Sequence, residues 1–161
     1  MKPMQILWKR LVKGGETCPR CRDTGRELEA AAAKLATALR PLGIEPVLET
    51  QEIDEAAFKD STSESNRVWI ASKPIEEWLG ANVGMSRCCS MCGVSDCRTL
   101  EVGGRTYEAI PEELFIKAGL MAASQMIASA PDRDETSCCS STAGTESCPP
   151  TPERSKGGCC G

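Results

Sequence analysis

Histidine is absent from the 161 residues. This removes the commonest general base at neutral pH, the Cys-His nucleophile pair and every metal site built on imidazole. Any metal must then be held mainly by thiolate, with carboxylate as the other available donor. No apolar run approaches the roughly 18 residues of a membrane span. The opening "MKPMQILWKRLV" shows neither the apolar core nor the cleavage site of a secretory signal, so a cytoplasmic location without a membrane partner is expected. No surplus of basic residues exists either: the formal charge is -4, which argues against nucleic acid, since phosphate contacts need a concentrated positive surface. No NAD or flavin signature is present, so reducing equivalents would come from a thiol/disulfide partner protein or a small thiol.

Sulfur is what the chain has in excess. Eleven cysteines are far more than a chain of this length needs to close a core, and in a reducing compartment such clusters bind metal or do redox chemistry. They fall into three groups. Cys18 and Cys21 form a C-x-x-C in "GGETCPRCRD"; Cys88, Cys89, Cys92 and Cys97 lie in "RCCSMCGVSDC"; Cys138-Cys139, Cys148 and Cys159-Cys160 occupy the C-terminal stretch.

The apolar, β-capable run Gln5 to Val12 reads as a first strand that leads through Gly14-Gly15 into the C-x-x-C. Apolar residues at helical spacing from about Arg26 to Arg40 follow, with Pro41 and Gly43 as stop signals. "IEPVLETQEI" (Ile44 to Ile53) and "NRVWIA" (Asn66 to Ala71) read as strands, separated by a short acidic helical turn from Asp54 to Phe58. "TLEVGGRTYEAI" reads as a hairpin closed by Gly103-Gly104, and a helix opens at Pro111 and runs to about Ser129. The expected fold class is α/β, in the order β-α-β-(α)-β-β-α, with residues 1–130 as the folded domain. A Cys-rich insertion at about 73–97 would separate the last two strands. Residues 131–161 contain no Val, Leu, Ile, Met, Phe, Trp or Tyr and are expected to form a disordered tail.

At a helix start, amide groups and nearby cations favour thiolate, and Lys13, Arg20 and Arg22 supply cations. Cys18 would then attack as the more exposed thiolate, titrating below about 8.5, and Cys21 would resolve the mixed disulfide. Against this, Thr24-Gly25-Arg26-Glu27 fits a capping box, which would start the helix after Cys21 and leave the pair in a loop better suited to metal. Redox pair, metal half-site and inert thiols all remain open at this point. In the second group, Cys89 and Cys92 form a further C-x-x-C that suits zinc or iron-sulfur, completed by Cys88, Cys97 or a thiol from elsewhere such as Cys18. In the third, adjacent residues have Cα atoms about 3.8 Å apart where ordinary disulfides prefer roughly 4.4 to 6.8 Å, so Cys138-Cys139 and Cys159-Cys160 read as clamps for a soft ion such as Hg(II), As(III) or Cu(I). A flexible tail of about 30 residues spans roughly 30 Å, enough to reach the C-x-x-C.

The strand, CPRC, helix order and the closing hairpin and helix resemble the thioredoxin-like fold. Residues 5 to 127 are similar to an uncharacterised prokaryotic thioredoxin-like domain family that pairs "ETCPRC" (Glu16 to Cys21) with "CCSxCGxxxCRTxxxxGxxYEAIP" (Cys88 to Pro111). The resemblance implies Cys18 as nucleophile and Cys21 as resolving thiol. The chain departs from thioredoxins in having Asn66-Arg67 where they carry a cis-proline before the third strand. The ending "GGCCG" is similar to the vicinal pair with which mercuric reductases deliver Hg(II). The reading is a cytoplasmic protein that performs thiol-disulfide exchange or handles a soft metal or metalloid through its thiols. The alternatives are a metallochaperone or scavenger without turnover and a zinc-stabilised interaction module.

Overall fold

The computed structural model describes residues 1–129. The expectations for Cys138, Cys139, Cys148, Cys159, Cys160 and the tail at 131–161 lie outside the described residues.

The chain is mixed α/β. Strand β1 (Lys2–Leu11) is flanked by β2 (Ile44–Ile53), which runs parallel to it, and by β3 (Arg67–Ile70), which runs antiparallel. A two-residue strand β4 (Lys73–Pro74) completes the sheet in the order β2-β1-β3-β4. A separate antiparallel sheet holds β5 (Asn82–Arg87), β6 (Asp96–Val102) and β7 (Arg105–Tyr107) in that order. The turn between β6 and β7 is the expected Gly103-Gly104 pair, both residues at positive φ.

The position of the insertion differs from the expectation. The four-stranded sheet is already complete at Pro74, and the hairpin at 96–107 belongs to the other sheet. The Cys-rich segment therefore follows the last strand of the first sheet instead of splitting strands three and four. Those strands are joined by a two-residue turn, Ala71 and Ser72, at φ of 49° and 66°. Neither residue type announces a left-handed turn, which is why the hairpin is hard to see in the sequence.

Met4, Ile6 and Trp8 alternate onto the buried face of β1, as period two requires. Helix α1 (Pro19–Leu39) lays Leu28, Ala31, Leu35 and Leu39 on that face, and α4 (Glu112–Ala128) packs beside it through Phe115, Ala118 and Ala122. Two glycines set the approach distances. A Cβ on Gly25 would stand 2.5 Å from the Trp8 ring, and one on Gly119 would stand 2.5 Å from a Leu35 methyl. Glu27 of α1 accepts a hydrogen bond from the Glu112 backbone N–H, capping α4 from a neighbouring helix. The short helices α2 (Glu55–Asp60) and α3 (Ile75–Leu79) are connectors, and Asp54 caps the former through the Ala57 N–H at 2.8 Å.

Trp78 is core, its Nε1 donating to the Ile70 carbonyl at 2.9 Å. Trp69 instead stands half-buried on the opposite sheet face, with Lys9 and Arg67 over its ring. No helix among the described residues is long and apolar enough to cross a membrane.

The two glycine contacts differ in what can yield. The Trp8 ring is buried and tied through Nε1 to Asn66 Oδ1 at 3.3 Å, whereas a leucine methyl can rotate away. Gly25→Ala is therefore expected to lower unfolding free energy by about 1–3 kcal/mol despite a helix-propensity gain of up to about 1 kcal/mol, and Gly119→Ala by less. Denaturant titration of both variants checks the order.

Candidate metal centre

Helix α1 begins earlier than the capping-box pattern predicts. Cys18 is its N-cap, with extended backbone and its Sγ accepting from the Cys21 N–H at 3.5 Å; Pro19 opens the first turn. Thr24 sits inside the helix, and its hydroxyl oxygen accepts from Asn66 Nδ2 at 3.1 Å and from the Ile110 N–H at 3.2 Å. A local capping pattern has been outcompeted by two tertiary hydrogen bonds in a buried position, where an unpaired polar group is costly.

The second cysteine group forms the loop between β5 and β6. Cys88 and Cys89 leave β5, Cys92 ends a short 3-10 turn (Ser90–Cys92), and Cys97 lies on β6 opposite Ser86. This loop folds over the start of α1. The sulfurs of Cys18, Cys88, Cys89 and Cys92 all lie within 4.8 Å of one another, with Cys88 Sγ 3.9 Å from Cys18 Sγ. A tetrahedral ion bonded at about 2.3 Å to each sulfur separates the sulfurs by about 3.8 Å. The fourth sulfur beside the Cys88, Cys89, Cys92 knuckle is thus Cys18. Cys97 is buried next to the tetrad but is not one of the four.

Arg20, the R of CPRC, holds the loop in place. Its guanidinium donates to the carbonyls of Cys97 at 3.2 Å and Arg87 at 3.0 Å and to Ser86 Oγ at 3.1 Å, and pairs with Glu108 at 3.0 Å. The planar fork of arginine satisfies several acceptors at fixed angles, which an ammonium cannot do. The cation expected to activate Cys18 is engaged by these four acceptors. The other two are engaged elsewhere as well: Arg22 with Asp23, and Lys13 with Glu55.

The electrostatics of the C-x-x-C are accordingly the reverse of the expectation. Cys18 is 1% exposed and Cys21 2%, so Cys18 is not an exposed attacking thiol. Its titration is pushed up, first by the hydrogen bond that holds its proton toward Cys21, then by burial and by the Cys21 charge. Cys21 is the thiol held below its usual value, mainly by that same hydrogen bond and further by the hydroxyls of Ser65 and Thr17, against the effect of burial. Ser65 and Asn66 occupy the turn before β3. Ser65 Oγ lies 3.6 Å from Cys21 Sγ and also accepts from the Leu11 N–H, while Asn66 takes φ of 59°. A polar "SESN" run ahead of a strand that faces the C-x-x-C is the signal that could have revealed them. Burial also pushes up Cys92, helped by hydrogen bonds with Cys88 and Cys97. Cys97 is pushed up to about 12, by burial first and then by the Cys88 hydrogen bond.

Cys88 and Cys89 are half-buried and line a cleft of about 340 Å³, walled by Pro19, Arg20, Asp23, Arg87, Glu108 and Ala109. The tetrad therefore has a sealed side, at Cys18 and Cys92, and a side open to solvent.

Two outcomes follow. Above about 8.5 the unfolded chain loses its thiol protons while folded Cys18, Cys92 and Cys97 still hold theirs, so their stabilisation is present below that pH and is lost as the pH rises toward the value of about 12 at Cys97. Cys21 acts in the opposite sense: its contribution is present above about 8.5 and is lost as the pH falls through its lowered value. With three groups against one, the melting temperature of the metal-free protein should fall between about pH 8.5 and 10.5, and less steeply in Cys97→Ser. Arg20→Ala should cost about 2–4 kcal/mol by removing the donor that two backbone carbonyls, a hydroxyl and a carboxylate share, and Arg20→Lys should recover only part of it; chemical denaturation measures both.

The family model described as a domain of unknown function, DUF2703, matches residues 4–119, a span that contains all six cysteines of the described residues. An uncharacterized protein of Archaeoglobus fulgidus is 41% identical over 111 residues, covering 69% of this chain and 81% of the relative. No solved structure matches the chain. The chain belongs to the DUF2703 family.

Proposed function

We propose that this protein binds one thiophilic metal ion in the Cys18, Cys88, Cys89, Cys92 tetrad and exchanges it with thiol-bearing donors or acceptors, on a thioredoxin-like scaffold. The observation that carries this reading is the gathering of four sulfurs within 4.8 Å from segments 70 residues apart. An all-thiolate set of this size suits Zn(II), Cu(I) or Hg(II) and disfavours hard cations. The open side at Cys88 and Cys89 favours transfer over a purely structural role, because an incoming thiol can add to the ion there while Cys18 and Cys92 still hold it. The scaffold reading is supported by the strand order β2-β1-β3-β4, with β1 and β2 parallel and the C-x-x-C at the start of the helix between them. Partners on this reading are small thiols or cysteine-bearing proteins in the cytoplasm.

Thiol-disulfide exchange at Cys18 and Cys21 is the second reading, favoured by the N-cap contact in which Cys18 Sγ accepts from the Cys21 N–H.

The test uses the full chain with its five C-terminal cysteines changed to serine, so that only the six body thiols remain. Titration of this reduced protein with Cd(II) or Zn(II) should saturate at one equivalent, with thiolate charge-transfer absorption for Cd(II) and release of protons. Cys18→Ser and Cys92→Ser should each weaken binding by more than the roughly 10–100-fold typical of losing an outer-shell partner, and Cys21→Ser by less than about tenfold. Equal losses for Cys18→Ser and Cys21→Ser would remove the tetrad assignment.

A further inference from the structure

The C-x-x-C pair is almost fully buried, so a partner disulfide cannot approach either sulfur directly in the folded chain. One thiol bridges the gap. Cys88 is half-buried, lines the open cleft, and has its Sγ 3.9 Å from Cys18 Sγ, while Cys18 Sγ in turn accepts from the Cys21 N–H at 3.5 Å, three residues on in the same helical turn. Cys89 lines the same cleft, but the sulfur in hydrogen-bonding contact with Cys18 is that of Cys88.

We infer that Cys88 is the entry thiol of a three-sulfur relay, Cys88 to Cys18 to Cys21, through which the metal-free protein takes up oxidising equivalents from a small disulfide. In the first step the Cys88 thiolate attacks the disulfide RSSR, forming a Cys88–SR bond and expelling RS⁻. Cys18 then attacks the Cys88 sulfur, forming the Cys18–Cys88 disulfide and expelling the second RS⁻. Cys21 attacks Cys18 in the last step, leaving a Cys18–Cys21 disulfide and returning Cys88 as thiolate. One disulfide is reduced to two RSH, two protein thiols are oxidised, and the protons of Cys18 and Cys21 pass to the departing thiolates. The buried end of the relay protects the product disulfide from further exchange.

The relay shares Cys18 and Cys88 with the proposed metal tetrad, and its end state removes Cys18 from that tetrad. Occupied metal and completed relay are therefore mutually exclusive. The inference adds disulfide chemistry to the binding reading but needs only the sulfur contacts, and holds whether or not a metal is taken up.

The experiment treats the full chain, with its five C-terminal cysteines changed to serine and freed of metal, with oxidised glutathione, and maps disulfides by mass spectrometry over time. The expected product is Cys18–Cys21 with no retained glutathione. Cys88→Ser should slow its formation by about tenfold or more, because the remaining route needs local opening to expose Cys18. Cys21→Ser should halt the relay one step early, accumulating the Cys18–Cys88 disulfide. This variant keeps the proposed tetrad, so its Cd(II) binding reports on the metal reading separately. Unchanged Cys18–Cys21 formation in Cys88→Ser, or absence of any Cys18–Cys88 disulfide in Cys21→Ser, would overturn the relay. Failure of the reduced Cys21→Ser variant to bind Cd(II), in a chain that does trap the Cys18–Cys88 disulfide once oxidised, would overturn the metal reading alone.

Discussion

The sulfur chemistry depends on one guanidinium. Arg20 leaves the first turn of α1 and is bonded to two carbonyls, a hydroxyl and a carboxylate contributed by the three-stranded sheet and the segment after it. That fork ties the strands on either side of the Cys88–Cys92 loop to the helix that starts at Cys18. The Arg20 side chain is 8% exposed, so its part-buried bonds to the Cys97 carbonyl and Ser86 hydroxyl compete with less water than those to the Arg87 carbonyl and Glu108, which face solvent. A second ionic chain, Lys9–Glu64–Arg67–Glu76–Arg98, joins β1, β3, α3 and β6 on another side of the domain. The three-stranded sheet is thus anchored by charged contacts at two places, and Cys97 and Leu100 of β6 join it to the apolar core that the four-stranded sheet and its helices mainly supply.

Protons and metal make opposite demands on the same atoms. In the metal-free chain Cys18, Cys92 and Cys97 resist ionisation, Cys18 first through its hydrogen bond with Cys21 and the other two first through burial, with neighbouring thiolate charge adding to each. A bound cation reverses this, as a coordinating thiol gives up its proton outright. The N-terminus of α1 helps in the same direction, directing the Cys21 amide at Cys18. Cys21 and Cys97 remain at the margin of the site, one held as the more acidic thiol and the other firmly protonated.

Much of the scaffold is legible in the sequence, because alternating apolar residues and stop signals mark the elements. Strand Ile44–Ile53 matches its expected bounds, and the Gly103-Gly104 turn and the helix after Pro111 fall where predicted. The failures have physical causes. Thr24 has the local pattern of a cap but is taken by Asn66 and Ile110, which are distant in sequence. Strand β5 is an edge strand with exposed Val83 and Met85, so it lacks the apolar alternation that betrays a strand packed on a core. Three of the four candidate ligands, Cys88, Cys89 and Cys92, stand together in the sequence with Cys97, whereas the choice of Cys18 over Cys97 is made by the folding of the loop onto α1. The charges around Cys18 misled for a related reason, since sequence proximity does not reveal that Arg20 points at carbonyls.

The separation of Cys18 from Cys88 along the chain bears on biosynthesis. A polypeptide leaving the ribosome presents its C-x-x-C long before the knuckle exists, so the four-sulfur grip on an ion is impossible until Cys92 has emerged and the loop has docked. Ion capture in that grip would close a loop of about 70 residues, an entropic cost that grows only logarithmically with its length. An ion held by all four sulfurs would on that reading be taken up only after the chain through Cys92 has been made.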